Sequence, residues 1–147
     1  MLIDLFCGAG FFAKALLNKF DRVIGIDWDR FAISAAKENA EVKETYIAGD
    51  VQAEFVSGNL TEFLGQVPSA PTTLIVDPPA TGLSATLRQT IVDLAPGTLI
   101  YVSCNPATLA RDLKEFQSRF KIESITPLDM FPQTAEIEVV AQLSVER

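Results

Sequence analysis

The sequence predicts an α/β protein built on a doubly wound, mostly parallel sheet, and three observations support this fold class. Short apolar runs alternate along the chain with stretches of helical periodicity, the pattern of strands joined by crossover helices. The apolar runs lead into glycine, proline or polar residues, which mark strand ends. The last two runs have no helical stretch between them, which predicts an antiparallel C-terminal edge.

The sequence predicts six strands and five helices outside the ambiguous stretch Glu41–Asn59. The strands are Met1–Phe6, Arg22–Asp27, Thr73–Asp77, Leu99–Val102, Lys121–Leu128 and Glu136–Leu143. The helices are Phe12–Phe20, Trp28–Ala40, Leu60–Leu64, Leu83–Leu94 and Pro106–Phe120. Asn105 suits a helix N-cap and Pro106 the first helical position, so the junction between the strand Leu99–Val102 and the helix Pro106–Phe120 is sharply defined.

The stretch from Glu41 to Asn59 is ambiguous. It contains two strand-like pieces, Thr45–Ala48 and Phe55–Val56, and each runs into a turn. This pattern predicts a hairpin or an inserted ribbon, and it leaves open which piece joins the main sheet.

Composition limits the chemistry that the chain can perform. Its 147 residues suit one domain with a sizeable core, and a hydrophobic content of 48% indicates a globular protein. No His is present, which excludes an imidazole base or metal ligand, and two cysteines cannot form a four-cysteine zinc site. Those cysteines predict a reducing compartment. Neither a membrane-length apolar run nor a leader pattern is present, so we expect a cytoplasmic protein that does not bind membranes.

The net charge of -7 argues against a self-sufficient nucleic-acid binder, which would carry a basic face. It leaves open a catalytic domain whose nucleic-acid contacts are provided elsewhere.

Chemistry-bearing residues gather at the carboxyl ends of the predicted strands, where ligands bind in open α/β sheets. In order, these ends are Gly8-Ala9-Gly10, Asp27, either Gly49-Asp50 or Gly58-Asn59, Asp77-Pro78-Pro79, and Ser103-Cys104-Asn105. Their agreement is more informative than any single motif and predicts one site at this edge.

The glycine turn and Asp27 predict a nucleoside-bearing cofactor. Gly8 and Gly10 allow a ligand to approach the backbone at a helix N-terminus, and Asp27 can accept hydrogen bonds from a ribose diol. With Ala13 the pattern reads G-x-G-x-x-A, so it does not distinguish NAD from S-adenosylmethionine. The alternative is a glycine turn that serves packing alone.

Cys104 and Glu138 are the candidate catalytic residues. Free cysteines are commonly small core residues, but Cys104 lies at a strand end before a helix, whose positive end can lower a thiol pKa. Cys7 has no such activating neighbour and is interpreted as structural. Apolar neighbours could raise the pKa of Glu138 and make it a general base, whereas strand alternation could instead turn Glu136 and Glu138 together to solvent.

Five motifs in this order resemble the catalytic domain of the S-adenosylmethionine-dependent RNA 5-methyluridine methyltransferases, which act on tRNA and rRNA. They are DLFCGAGFF (Asp4–Phe12), GID (Gly25–Asp27), VDPPATGL (Val76–Leu83), YVSCNPATLARDL (Tyr101–Leu113) and DMFPQTAEIEVV (Asp129–Val140). The resemblance covers almost the whole chain. It implies that residues 1–147 form one Rossmann-like, class I methyltransferase domain.

The resemblance also implies roles for individual residues and a partner. It implies S-adenosylmethionine binding by Phe6, Gly8, Gly10, Phe11, Asp27, Asn59 and Asp77, with Asp77 between the cofactor and the target base. Cys104 becomes the nucleophile and Glu138 the base. It favours Asn59 for the position near the adenine, and Asp50 stays open as the alternative. The implied partner is a tRNA or rRNA substrate, and the oligomeric state is left open.

The chain departs from the family pattern at three positions: Ala80 stands where Arg is usual, Phe11 where a small residue or Asn is usual, and Glu136 where His is common. The family's RNA-binding barrel and central domain have no counterpart in these 147 residues. Two functions therefore stay open: a uracil-C5 methyltransferase domain, or an S-adenosylmethionine-binding module without independent activity. An NAD-dependent oxidoreductase would leave the SCNP and FPQT motifs unexplained.

Overall fold

A computed structural model of the protein describes residues 1–38, 40–51, 72–130, 132–134 and 136–146. The strands are β1 (Leu2–Leu5), β2 (Val23–Asp27), β3 (Glu44–Ala48), β4 (Thr73–Val76), β5 (Thr98–Ser103), β6 (Phe120–Leu128) and β7 (Glu138–Val145). The helices are α1 (Phe11–Ala15), α2 (Arg30–Glu38), α3 (Ala85–Leu94) and α4 (Pro106–Phe116), and a short 3-10 turn covers Leu17–Lys19.

The strands form one mixed sheet in the order β3-β2-β1-β4-β5-β7-β6. Strands β1 to β5 pair in parallel, and β7 pairs antiparallel with both β5 and β6. The predicted antiparallel edge is thus confirmed. Because β7 inserts between β5 and β6, the outermost strand on this side is β6.

Alternate residues of the central strands point into two separate cores. Ile3 and Leu5 of β1 join one core with the apolar residues of α3 and α4. Leu2 joins the other core with those of α1 and α2. Among the described residues, two helices therefore cover each face of the sheet, which confirms the doubly wound α/β prediction.

Several element boundaries differ from the predicted ones for local reasons. The predicted helix Phe12–Phe20 is interrupted at Leu16, where the backbone leaves helical geometry before the 3-10 turn. Helix α2 begins at Arg30 rather than Trp28, because the Asp29 side chain accepts hydrogen bonds from the backbone N–H groups of Phe31 and Ala32.

The ambiguous stretch is partly resolved. Thr45–Ala48 joins the main sheet within β3, which pairs in parallel with β2. The predicted piece Phe55–Val56, the helix Leu60–Leu64 and the candidate residue Asn59 lie outside the described residues.

Candidate functional site

A cleft of about 490 Å³ opens at the edge of the sheet where the parallel strands end. Its lining contains five of the residues predicted for the site: Phe6, Gly8, Phe11, Asp77 and Glu138. These residues come from the segments after β1 and β4 and from the start of β7, so the sheet topology brings together positions far apart in the sequence. Gly10, Asp27 and Cys104 lie at the same edge without lining the cleft.

The turn after β1 exposes backbone to the cleft. Gly8 has a φ of +53°, and a Cβ at this position would meet none of the described residues within 4 Å. The backbone beside Gly8 is therefore open to a ligand, which fits the predicted role of the turn. Phe6 also has a positive φ, 64°, an uncommon conformation for a bulky residue that concentrates at functional sites.

Gly10 and Phe11 lie where this turn enters α1. Gly10 is the N-cap of α1, and a Cβ there would lie 2.7 Å from the Tyr46 hydroxyl oxygen, so this position is restricted by packing. Phe11 is 76% exposed and contacts Phe12 edge-to-face with ring centroids 5.1 Å apart. Its ring thus forms an apolar wall at the mouth of the cleft.

Asp27, the predicted ribose acceptor, ends β2 and holds two backbone groups. Its Oδ2 accepts a hydrogen bond from Gly8 N at 2.8 Å, and its Oδ1 accepts one from Asp29 N at 2.8 Å. A carboxylate offers about four acceptor positions, so acceptor capacity remains for a diol. Asp27 therefore both fixes the glycine turn and keeps the chemistry that the prediction requires.

Burial and neighbouring charge perturb two aspartates of the site. Asp4 is fully buried under the glycine turn, and burial raises its pKa to about 7, with Asp77 and Asp27 adding to the effect. Its Oδ2 accepts a hydrogen bond from Ala13 N at 3.0 Å, whereas its Oδ1 has no hydrogen-bond partner in the part of the chain that the structure describes. Burial, together with the charge of Glu138, raises the pKa of Asp77 to about 6.

The two cysteines differ in exposure. Cys7 is 5% exposed, and burial beside Asp4 and Asp27 raises its thiol pKa, which fits its interpretation as a structural residue. Cys104 is exposed and unpaired. It follows β5 directly, and the Asn105 side chain caps α4 by accepting hydrogen bonds from Ala107 N at 3.0 Å and Thr108 N at 3.4 Å.

The pairing of β5 with β7 brings Glu138 and Cys104 to the same end of the sheet. Ser103 pairs with Val139 in the antiparallel register of β5 and β7. Cys104 follows Ser103 and Glu138 precedes Val139, so both residues lie at the same end of this strand pair. Glu138 is half-buried in the cleft wall, while Glu136 lies before β7 and is exposed. The alternative that strand alternation turns both glutamates to solvent is therefore wrong.

Asp50, the second candidate for the adenine position, is exposed and follows β3 at the carboxyl edge. Gly49 N donates to the Asp27 backbone carbonyl at 2.9 Å, so the β3 turn adjoins the end of β2. Asn59, the candidate chosen from the sequence, lies outside the described residues.

Sequence reasoning missed residues of the site that tertiary structure creates. Asp4 lies in an apolar run, and no local sequence pattern predicts that its carboxyl group is buried. Leu128 and Met130 line the cleft although they lie far along the chain from the glycine turn. The DMFPQT motif, which contains Met130, was a signal for this segment but not for its contact with the cleft.

Comparison with solved structures defines the class of protein first. An S-adenosylmethionine-dependent methyltransferase from Anabaena variabilis superposes with a TM-score of 0.66 over 99% of this chain and 76% of its own, at 18% identity. The N-methyltransferase NodS from Bradyrhizobium japonicum gives a TM-score of 0.70 over 99% of this chain and 78% of its own, also at 18% identity. The fold is that of the Rossmann-like methyltransferases, as predicted.

More similar proteins define the family. The tRNA (uracil-54, C5)-methyltransferase of Pyrococcus abyssi, solved with S-adenosyl-L-homocysteine, is 34% identical, with a TM-score of 0.77 over 97% of this chain and 33% of its own. An uncharacterized RNA methyltransferase of Thermosynechococcus vestitus is 38% identical over 97% of this chain and 31% of its own length. The sequence model of the tRNA (uracil-5-)-methyltransferase family matches residues 1–145. The chain belongs to this family, which confirms the family predicted from the motifs.

The chain spans only part of its relatives. It covers 31% of the Thermosynechococcus protein and 32% of an uncharacterized RNA methyltransferase of Bacteroides thetaiotaomicron, to which it is 36% identical.

Among the described residues, no helix is both long enough and apolar enough to cross a membrane.

Proposed function

We propose that this chain transfers a methyl group from S-adenosylmethionine to C5 of a uridine in tRNA or rRNA, with Cys104 as nucleophile and Glu138 as base. The observation that carries the proposal is the strand pair β5–β7, which brings Cys104 and Glu138 to one end of the sheet beside a cleft that Glu138 and Asp77 line. Family membership supports the same reaction class.

The cleft fits the proposed cofactor in size and in the residues that line it. Its volume of about 490 Å³ lies within the range of roughly 300–1,000 Å³ typical of small-molecule sites. Phe6, Gly8 and Phe11 would contact the cofactor, and Asp27 would accept hydrogen bonds from its ribose. S-adenosylmethionine supplies an electrophilic methyl group on a positively charged sulfur.

Charge distinguishes this cofactor from a dinucleotide. Asp27 holds the glycine turn, and Asp77 and Glu138 line the cleft. This concentration of carboxylates attracts a cation and repels a pyrophosphate, which NAD would bring to the same turn. We therefore favour S-adenosylmethionine over NAD.

Cys104 would open the reaction. C5 of uracil is a weak nucleophile, and addition of the Cys104 thiolate to C6 forms an S–C6 bond and moves electron density onto C5. C5 would then form a bond to the methyl carbon, while the S–CH3 bond of the cofactor would break with its electron pair left on sulfur. The exposed position of Cys104, at the start of α4, allows a flipped-out base to reach the thiol.

Glu138 would close the reaction. After methylation C5 carries both the methyl group and its original proton. Transfer of that proton to the Glu138 carboxylate lets the C5–H electron pair form the C5–C6 double bond while the C6–S bond breaks. The thiolate of Cys104 is then regenerated, so these two side chains complete the chemistry without a metal or His.

The test is mass spectrometry of nucleosides from bulk unmodified tRNA and rRNA after incubation with the chain and labelled S-adenosylmethionine. We expect labelled 5-methyluridine with the wild-type chain and with Asp21→Asn, a control at an exposed position outside the cleft lining, and none with Cys104→Ser. Glu138→Gln should accumulate a covalent protein–RNA complex, because addition proceeds and proton removal does not.

Two results would contradict the proposal. Labelled 5-methyluridine formed by Cys104→Ser would exclude the covalent route. Calorimetric binding of S-adenosylmethionine without methylation of any RNA by the wild-type chain would favour the alternative function, a cofactor-binding module that needs further protein segments for activity.

A further inference from the structure

The loop that follows Asp77 is held by the helix that begins after Cys104. This loop, Ala80–Leu83, follows the two prolines. Thr108 Oγ1 and Asn105 Nδ2 each donate a hydrogen bond to the Ala80 carbonyl oxygen at 3.1 Å. Side chains at the start of α4 thus join the segment carrying Asp77 to the segment carrying Cys104.

The far end of the loop is anchored more deeply. Arg111 Nη2 donates to the carbonyl oxygens of Thr81 at 3.1 Å and Leu83 at 3.2 Å. Leu83 N donates to Asp112 Oδ2 at 2.9 Å. Arg111 and Asp112 both lie on α4, so this helix contacts most of the loop Ala80–Leu83.

Asp112 is the centre of that anchor. It is fully buried, accepts a hydrogen bond from the Tyr101 hydroxyl at 2.7 Å, and pairs with Arg88 at 3.2 Å and Arg111 at 2.7 Å. Burial raises the pKa of Tyr101, which therefore stays protonated and remains a donor. Breaking a buried ion network of this kind is strongly destabilising, so Asp112 serves the fold.

The contacts to Ala80 are different in kind. Thr108 and Asn105 are only half-buried, and both donate to a single backbone carbonyl beside the site. A hydrogen bond at such a position adds little to global stability compared with the Asp112 network. It does link the loop after Asp77 to the start of the helix after Cys104.

We propose that Thr108 and Asn105 are positioning residues for methyl transfer. Through the Ala80 carbonyl they keep the Asp77 and Cys104 segments at the separation that a uracil between cofactor and thiol requires. The proposal rests on the function proposed above. Errors of about 1 Å in such a separation can cost up to about a hundredfold in rate, so weak contacts can have a large kinetic effect.

The first test compares Thr108→Val with Thr108→Ser. Valine keeps the shape of threonine and removes the hydroxyl, whereas serine keeps the hydroxyl. We expect Thr108→Val to lower kcat for RNA methylation about tenfold and to leave KM for S-adenosylmethionine within about twofold, because Thr108 does not line the cleft. Thr108→Ser should restore kcat.

The Thr108 hydroxyl also lies 3.1 Å from the Asn105 carbonyl oxygen, so Thr108→Val removes this contact together with the one to Ala80. The second test therefore uses Asn105→Ser, which removes a contact to Ala80 and keeps the Thr108 hydroxyl. Serine is a good N-cap but lacks the amide that donates to Ala80. We expect the same selective loss of kcat, with a melting temperature close to that of the wild type. Wild-type kcat in both Thr108→Val and Asn105→Ser, or equal losses in Thr108→Val and Thr108→Ser, would overturn the proposal.

Failure of the proposed function is recognised separately. If the wild-type chain methylates no RNA, the positioning role is judged by iodoacetamide alkylation of Cys104, followed by peptide mass spectrometry. Thr108→Val should then change the alkylation rate about threefold, with Thr108→Ser at the wild-type rate. Equal rates in all three proteins would overturn the positioning role as well.

Discussion

Two strand-to-helix turns at the same edge of the sheet each contain a cysteine, and their environments are opposite. Cys7 follows β1, is 5% exposed, and has its pKa raised by burial and by the charges of the buried Asp4 and Asp27. Cys104 follows β5 and is exposed. A cysteine at a strand end is therefore not reactive by position alone, since burial and neighbouring charge decide whether its thiolate can form.

The two turns also satisfy their backbone differently. The turn after β1 has no side-chain cap on α1, and its Gly8 N–H bonds to Asp27 while the surface beside Gly8 stays open. The turn after β5 is closed by side chains: Ser103 Oγ accepts from Asn105 N at 3.1 Å, and Asn105 caps α4. The backbone of the first turn is thus available to a ligand. In the second turn, hydrogen bonds of Ser103 and Asn105 fix the backbone on both sides of Cys104.

The largest expected effect is on thiol reactivity. At pH 7.4 we expect iodoacetamide to alkylate Cys104 at least about a thousandfold faster than Cys7, because Cys7 is buried and its pKa is raised. Peptide mass spectrometry over time gives both rates in one sample. In urea the two rates should converge. Similar rates in the native protein would remove the contrast between the two turns.

The contrast was partly readable from the sequence. The glycine turn, Asp27 and the Asn105-Pro106 helix start are local patterns, and the structure has them as predicted. The assignment of Cys7 as structural rested on the absence of an activating neighbour, and its burial agrees. Local residue chemistry therefore sufficed for the fold class and for the positions of the strand ends.

The rest depended on contacts between distant segments. Whether Glu138 faces solvent or the cleft depends on where β7 begins, and alternation alone cannot fix that start. The cleft contacts of Leu128 and Met130 depend on the insertion of β7 between β5 and β6. The burial of Asp4, one of whose carboxyl oxygens has no hydrogen-bond partner among the described residues, is a property of tertiary packing, which no motif in β1 encodes.

The next effect concerns the acids under the first turn. Burial raises the pKa of Asp4 from 3.8 to about 7, so the folded protein binds a proton more tightly than the unfolded chain. The stability contributed by this group is fully present below pH 3.8 and is lost as the pH rises to about 7. Between pH 5 and pH 8 we expect the wild type to lose about 2–3 kcal/mol of unfolding free energy through Asp4.

Asp4→Asn should remove most of that slope, as measured by urea unfolding across this pH range. A smaller slope should remain, because the pKa of Asp77 is also raised, to about 6. Asp21→Asn, at an exposed position, is the matched control and should keep the wild-type profile. Equal slopes for Asp4→Asn and the wild type would show that Asp4 does not titrate in this range.

The smallest effect concerns the second turn. Asn105→Ala removes the acceptor for Ala107 N and Thr108 N, so we expect it to lower the unfolding free energy by about 1 kcal/mol. Asn105→Ser should cost only a few tenths of that unit, because serine caps helices nearly as well. Urea midpoints at constant m-value give both figures. Equal losses of unfolding free energy in the two variants would assign the stabilisation to the Asn105–Ala80 hydrogen bond instead of the helix cap. The geometry of the second turn would then depend on its contact with the loop Ala80–Leu83.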